Sequence, residues 1–191
     1  MLGVVVRDAE RTKRLLLEAA AKEFAQHGIA GARVDRIAAS AKVNKAMIYS
    51  YFGNKDQLFD TVFSAVVVNS VERVPFDATD LPEYAGRLFD SFEENPDTLR
   101  LTNWYQLERP AGAPLAAIVA SNKTKLTQLQ KAKDAGRLPE RYTPVELLAL
   151  VRAAAMSWFT MTPELGASAP KSRRRRRAVV VDAVRRILAH D

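Results

Sequence analysis

Five cations and two tyrosines crowd one short stretch of this chain. Residues 33–55 hold Arg33, Arg36, Lys42, Lys45 and Lys55 against Asp35 alone, a net charge of +4, with Tyr49 and Tyr51 among them. Ammonium, guanidinium and phenol groups are hydrogen-bond donors. Gathered on one surface, they bind anions and meet acceptor edges rather than break bonds. Bond-breaking chemistry has little to draw on elsewhere. The absence of cysteine excludes disulfides, thiolate metal sites and cysteine nucleophiles. The two histidines stand far apart: His27 falls at a helix end and His190 one residue from the terminus. No Gly-rich phosphate loop, His/carboxylate ligand cluster or Ser-His-Asp arrangement can be picked out. Glu93, Glu94 and Asp97 cluster beside Pro96, where they read as solvated charge. These patterns point away from an enzyme, a metal site and a cofactor.

The donors need elements to position them. At 191 residues the chain can build one large domain or two small ones, and 48% apolar with 27% charged residues is ordinary for a globular protein. Its beginning, MLGVVVRDAERTKR, lacks the basic start and long apolar middle of a secretion signal. No apolar run approaches the roughly 18 residues that span a bilayer, so a cytoplasmic protein without a membrane partner is expected. The net charge of +7 is unevenly placed. Residues 1–72 carry 10 Lys/Arg and 8 Asp/Glu, residues 73–170 carry 11 and 12, and residues 171–191 carry 8 and 2. The high overall charge therefore reflects the terminal KSRRRRR run, and it is the local patch at 33–55 that bears on binding.

Apolar positions recur at intervals of three and four, and strand-like alternation is nearly absent. The pattern predicts an all-α protein of about nine helices, near residues 8–27, 34–40, 44–51, 55–74, 82–94, 96–108, 114–135, 144–162 and 173–189. Gly28 stops the first, whose apolar face is Leu16, Ala19, Ala20 and Phe24. Pro75 ends the fourth, and Pro82, Pro96, Pro114 and Pro144 fall in first turns, where a missing amide hydrogen costs nothing. Longer helices with larger side chains after about residue 71 suggest a second, bulkier unit.

Residues 34–51 divide into helix, short turn and helix. Val34, Ile37, Ala38 and Ala41 form the apolar stripe of the first piece. Asn44 can cap the second, in which Ile48 and Phe52 face inward with Val43. Lys45, Ala46, Tyr49 and Ser50 are left on the solvent side. Such a helix is about 12 Å long and matches a major groove about 12 Å wide. A solvated helical hairpin has the same spacing, and periodicity alone does not separate the two.

The segment AAAKEFAQHGIAGARVDRIAASAKVNKAMIYSYFGNKDQLFDTVF, above all IYSYFGNKDQLF, resembles the DNA-binding domain of the TetR family of bacterial transcription regulators. The resemblance covers residues 10–70, with the helix-turn-helix at about 32–51. It implies a three-helix DNA-binding domain, joined through a connecting helix to a helical regulatory and dimerisation domain at 71–191. It further implies that Lys45, Ala46 and Met47 open the recognition helix toward bases, with Tyr49 and Ser50 continuing along the groove. Tyr51 and Lys55 resemble backbone-phosphate contacts, and Arg33 stands where the second helix nears phosphate. Two features depart from the family pattern. Ala32 and Arg33 replace the usual Ser/Thr cap, whose loss costs about 0.5–2 kcal/mol. Lys42 stands where the turn usually has glycine, at a cost of about 1 kcal/mol if its backbone is left-handed.

Beyond residue 71 the resemblance is one of layout. It implies a homodimeric repressor on a double-stranded palindromic operator, released by a small apolar or amphipathic effector. Phe63, Phe89, Phe92, Trp104, Tyr105, Met156 and Phe159 are candidates to line the effector cavity, although each alone reads as core. Leu148, Val151 and Ala155, with Val180, Val184 and Ile187 of the last helix, are candidates for the dimer interface. KSRRRRR reads as a solvated loop rather than a second contact with DNA or lipid. The rival class is a helical protein-interaction module that ignores DNA.

Overall fold

The computed structural model describes residues 2–109 and 114–189, and among these it contains ten helices and no strand. They are α1 (Leu2–Gly31), α2 (Val34–Ala41), α3 (Lys45–Phe52), α4 (Lys55–Arg73) and α5 (Leu81–Glu94). There follow α6 (Pro96–Glu108), α7 (Ala116–Asp134), α8 (Pro144–Met156), α9 (Pro163–Gly166) and α10 (Arg173–Leu188). His190 lies outside the described residues.

Most boundaries fall where the local chemistry puts them. Gly28 breaks the regular helix of α1 at φ 70, a conformation glycine adopts without cost. A Cβ at this position would also stand 2.9 Å from the Trp104 ring. Pro96 and Pro144 each occupy a first helical position. Thr143 and Glu146 close a capping box at the start of α8, the Thr143 amide donating to Glu146 Oε2 at 2.7 Å. Pro114 instead lies before α7, which begins at Ala116.

The single helix expected over 144–162 is two. Helix α8 stops at Met156, where the Ser157 hydroxyl donates to the Ala154 carbonyl at 2.8 Å and competes with the backbone. Thr162 then caps a new short helix whose first residue is Pro163.

The described residues do not divide into two consecutive blocks along the chain. One compact unit comprises the described residues up to Val68 together with Asn95–Ile118, and the other comprises Asn69–Glu94 with Val119 onward. Helix α6 thus packs with the N-terminal helices, although a linear division after residue 70 assigns it to the second domain.

In the first unit the apolar stripe of α1 (Leu16, Ala19, Ala20, Phe24) is buried with Ile37, Ile48, Leu58, Phe59 and Leu101. Its aromatic residues form a ladder. Phe24 meets Phe59 edge-on at 5.2 Å, Phe59 stacks on Phe63 at 5.8 Å, and Phe63 stacks on Tyr105 at 4.6 Å. The second unit buries Leu81, Tyr84 and Phe89 of α5 with Leu129, Leu147, Val151, Val180 and Val184.

The arginine run is not a loop. Ser172 caps α10, and Arg173, Arg176 and Arg177, spaced three and four apart, share one face of that helix. Arg173 pairs with Asp90 and Glu94 at 2.9 Å, Arg176 with Glu93 at 2.8 Å, and Arg177 with Asp90 at 2.6 Å and with Glu83. Gly86 lets the helices approach, since a Cβ there would meet Arg177 and Val181.

Candidate nucleic-acid interface

Helices α2 and α3 form the helix-turn-helix, and each turn of backbone has a local cause. The turn between them requires Lys42 at φ 55, the left-handed region that disfavours a side chain. Its geometry is held by the Val43 amide donating to the Ala38 carbonyl at 3.0 Å. Asn44 Oδ1 accepts from the Ala46 amide at 2.8 Å, so α3 starts with a capped first turn. After α3, Gly53 adopts φ 78. Asn54 and Gln57 then exchange backbone-to-side-chain hydrogen bonds at 2.8 and 3.2 Å at the head of α4.

The orientation of α3 follows from what it buries. Ile48 and Phe52 are 1% and 7% exposed. On the other side Lys45, Ala46 and Ser50 are exposed, as are Tyr49 at 46% and Tyr51 at 38%. Met47 is half-buried, and Arg33 is exposed at the entry to α2. The structure therefore brings Lys45, Ala46, Tyr49 and Ser50 onto one accessible helix face, with Tyr51 also exposed at its end.

Two candidates have partners that spacing did not reveal. Lys45 Nζ lies 2.8 Å from Asp35, on α2. This hydrogen bond, reinforced by the negative charge, holds the lysine above its usual range. The Lys55 ammonium is turned toward its own chain, donating to the carbonyls of Ala30 and Ala32 at 3.0 and 3.2 Å. Its first duty is to tie the head of α4 to the α1–α2 junction, leaving one of three protons for a phosphate.

The cap missing from the start of α2 is supplied from another helix. Arg33 contributes no side-chain cap, but Glu23 of α1 accepts from the Arg33 amide at 2.9 Å and from Arg36 Nε at 2.8 Å. Glu23 is a buried charge at 9% exposure. Burial opposes its ionised form, but the Arg36 and Arg33 hydrogen bonds and the charges of Arg36 and His27 outweigh it, holding the carboxyl below its usual range. A signal was present in the sequence: Glu23 follows Ala19 by four and Ala20 by three, which places it on the buried stripe of α1. Helix α6 adds a second brace, with Trp104 Nε1 donating to the Ala25 carbonyl at 3.2 Å and Glu108 accepting from the Ala30 amide at 2.8 Å.

The candidates farther along the chain separate into two groups. Phe63, Trp104 and Tyr105 belong to the first unit, where Phe63 is 3% exposed inside the aromatic ladder. Phe89, Phe92, Met156 and Phe159 belong to the second, with Phe159 5.5 Å from Phe89 and 5.9 Å from Phe92. Most of the residues expected at a dimer interface are covered within their own chain. Leu148, Val151, Ala155, Val180 and Val184 are all at most 7% exposed within their own chain, because α5, α8 and α10 fill one core with them. Ile187 alone is half-exposed. The outer face of α8 instead carries Val145, Ala149 and Ala153, and that of α10 carries Val179.

Among the described residues no helix is long and apolar enough to cross a membrane. The model of the tetR family of bacterial regulatory proteins matches residues 16–62, and that of the tetracyclin repressor-like C-terminal domain matches 80–186. The chain is 37% identical over 164 residues to the HTH-type transcriptional repressor SCO4008 of Streptomyces coelicolor, covering 85% of each protein. Over 103 residues it is 36% identical to the repressor NicS of Pseudomonas putida, half of this chain and 48% of that one. A crystal structure of SCO4942 from Streptomyces coelicolor, described as a transcriptional regulator, is 39% identical with a TM-score of 0.83, over 94% of this chain and 99% of that one. FadR of Bacillus subtilis, solved with stearoyl-CoA, shares the fold with a TM-score of 0.70 at 16% identity, over 93% and 98% of the two chains. The chain belongs to the TetR family of bacterial helix-turn-helix regulators and is a DNA-binding regulator of transcription.

Proposed function

We propose that this protein is a homodimeric repressor that reads a two-fold symmetric operator through α3 and leaves it when a small effector occupies the regulatory unit. The observation that carries the reading is the two-sided character of α3: Ile48 and Phe52 are sealed in the core while Lys45, Ala46, Tyr49 and Ser50 face outward. Lys45 is placed to donate to guanine, and Met47 to pack on a thymine methyl where it emerges. Tyr49 and Ser50 continue along the groove. Tyr51, Arg33 and the remaining Lys55 proton hold phosphates and set register without reading sequence.

Two reading helices on consecutive faces of the duplex must lie about 34 Å apart, which requires a dimer. The surface best suited to it is the pair of outer faces carrying Val145, Ala149 and Ala153 on α8 and Val179 on α10, since Val145 is 60% exposed. The half-buried Phe92, Met156 and Phe159 suit the apolar part of an effector site in the second unit. The repressor sign rests on the names of SCO4008 and NicS, and an effector with an apolar body is in keeping with the FadR complex. A protein with these duties works in the cytoplasm.

Selection of bound duplexes from a random library with the purified protein tests this reading. A consensus with two-fold symmetry and half-sites one helical turn apart is expected. Enrichment of no sequence, or of an asymmetric single site, would refute the dimeric operator. Affinity should also fall steeply as salt rises, because each phosphate contact releases a counterion; a flat response would favour a protein-interaction module.

A further inference from the structure

The one acid in the cationic stretch 33–55, Asp35, sits against the lysine at the head of α3. Lys45 Nζ lies 2.8 Å from Asp35 Oδ1, with 46% and 73% of the two side chains exposed. Asp35 is the second residue of α2 and Lys45 the first of α3, so the pair joins the first turns of the two helices. A group this close to Lys45 Nζ stands beside whatever base edge the ammonium meets.

The folding duties open to an acid here are filled by other residues. Glu23 accepts from the amide that opens α2 and also holds Arg36. Asn44 caps α3. The first turn of α2 favours a negative charge through the helix dipole, but that effect needs no contact with Lys45. Among the described residues Lys45 is the one ion-pair partner of Asp35. A pair so exposed adds little to stability. A carboxylate beside DNA is also unfavourable to phosphate binding, whatever the sequence. An acid that helps neither folding nor general affinity is suited to discrimination between bases.

The chemistry of base edges gives the pair a target. In the major groove guanine presents N7 and O6 as acceptors, and its cytosine presents the N4 amino group as a donor. Guanine O6 and cytosine N4 are hydrogen-bonded to each other at about 2.9 Å. An ammonium and a carboxylate 2.8 Å apart match that spacing with complementary polarity. A lysine alone discriminates poorly, since guanine, thymine O4 and adenine N7 all accept from it. Beside Asp35 it requires an acceptor on its own side and a donor on the other. C·G and A·T pairs present the reverse order, amino group first. T·A keeps the order but offers one acceptor where guanine offers two.

We propose that Asp35 is a specificity-determining residue, and that with Lys45 it reads one G·C pair in each half-site. Lys45 donates to the guanine while the Asp35 carboxylate accepts from the cytosine N4. This deepens, and rests on, the reading of the operator through the outer face of α3.

The test is duplex selection from a random library with the full-length parent, Asp35→Ala, Asp35→Asn and Lys45→Ala. Fluorescence anisotropy then follows on duplexes carrying each of the four pairs at the affected position. The parent should select G·C at one position of each half-site. Both Asp35 variants should relax that position and no other, cutting the preference for G·C over A·T about tenfold. Their affinity for random duplex should be equal to the parent's or higher. Lys45→Ala should relax the same position, and adding Asp35→Ala to it should change the preference there little further, because the two side chains act as one reader. An unchanged consensus, a uniform loss across all sequences, or relaxation at a position that Lys45→Ala leaves alone would each overturn the proposal. A parent with a two-fold consensus indifferent to Asp35 defeats this proposal alone, whereas a parent that enriches no sequence defeats the reading beneath it.

Discussion

Removing the Glu23 carboxylate tests whether the reading head is held from beneath. Glu23→Ala strips two hydrogen bonds at once, one from the Arg33 amide that opens α2 and one from Arg36. A lost helix cap costs about 1 kcal/mol, and a buried hydrogen bond to a charged group about 1.5–3 kcal/mol. The two overlap in a single carboxylate, so a combined loss of about 2–3 kcal/mol is expected. Glu23→Gln keeps an acceptor for the Arg33 amide and should lose roughly half as much. Urea unfolding followed by circular dichroism measures both. The sign of the pH dependence follows from the depressed carboxyl. Stability due to Glu23 is present above the ordinary carboxylate value of 4.5 and is lost as pH falls through the lower value of the folded state. The gap between the parent and Glu23→Gln should therefore close below about pH 4.5. Glu23→Ala as stable as the parent at pH 7, or a gap that widens in acid, would refute the reasoning.

Other consequences follow from single contacts. Lys42→Gly should raise the unfolding midpoint, recovering about 1 kcal/mol of left-handed backbone strain, and an unchanged or lower midpoint in urea would contradict it. Asp35→Asn frees Lys45 and removes a negative charge from the exposed surface beside it. It should tighten binding to random duplex and narrow the gap between operator and random DNA in fluorescence anisotropy; an unchanged ratio would show the pair to be idle. Asp90→Asn breaks the contacts of both Arg173 and Arg177, lowering stability by about 1 kcal/mol at low ionic strength and less in 1 M salt. Equal losses in both buffers would mean that packing, not charge, joins α5 to α10.

How far the sequence foretold this depends on whether the cause was local. Gly28, Asn44, Pro96 and Pro144 act within a few residues of themselves, and the boundaries they predict are close to those seen. The Ile48/Phe52 spacing likewise set which face of α3 is outward, because a helix has only two sides to offer. What escaped was pairing across elements. Lys45 with Asp35, Lys55 with the Ala30 and Ala32 carbonyls, and the arginine run with the acids of α5 depend on which helices meet. The terminal run looked solvated because its partners lie about 80 residues away. The valines of α10 looked available to a partner chain because periodicity marks a face as apolar without saying whose core it enters. Tyr105 and Trp104 were grouped with Phe159 by type, but packing sends α6 to the first unit.

Repeating the duplex selection with Lys45→Ala, Tyr49→Ala and Lys55→Ala tests the central claim most directly, that the outer face of α3 reads bases. The first two should shift or relax the preferred base at defined positions of each half-site. Lys55→Ala should weaken all sequences alike and leave the consensus unchanged. The same consensus from all three variants would contradict the account.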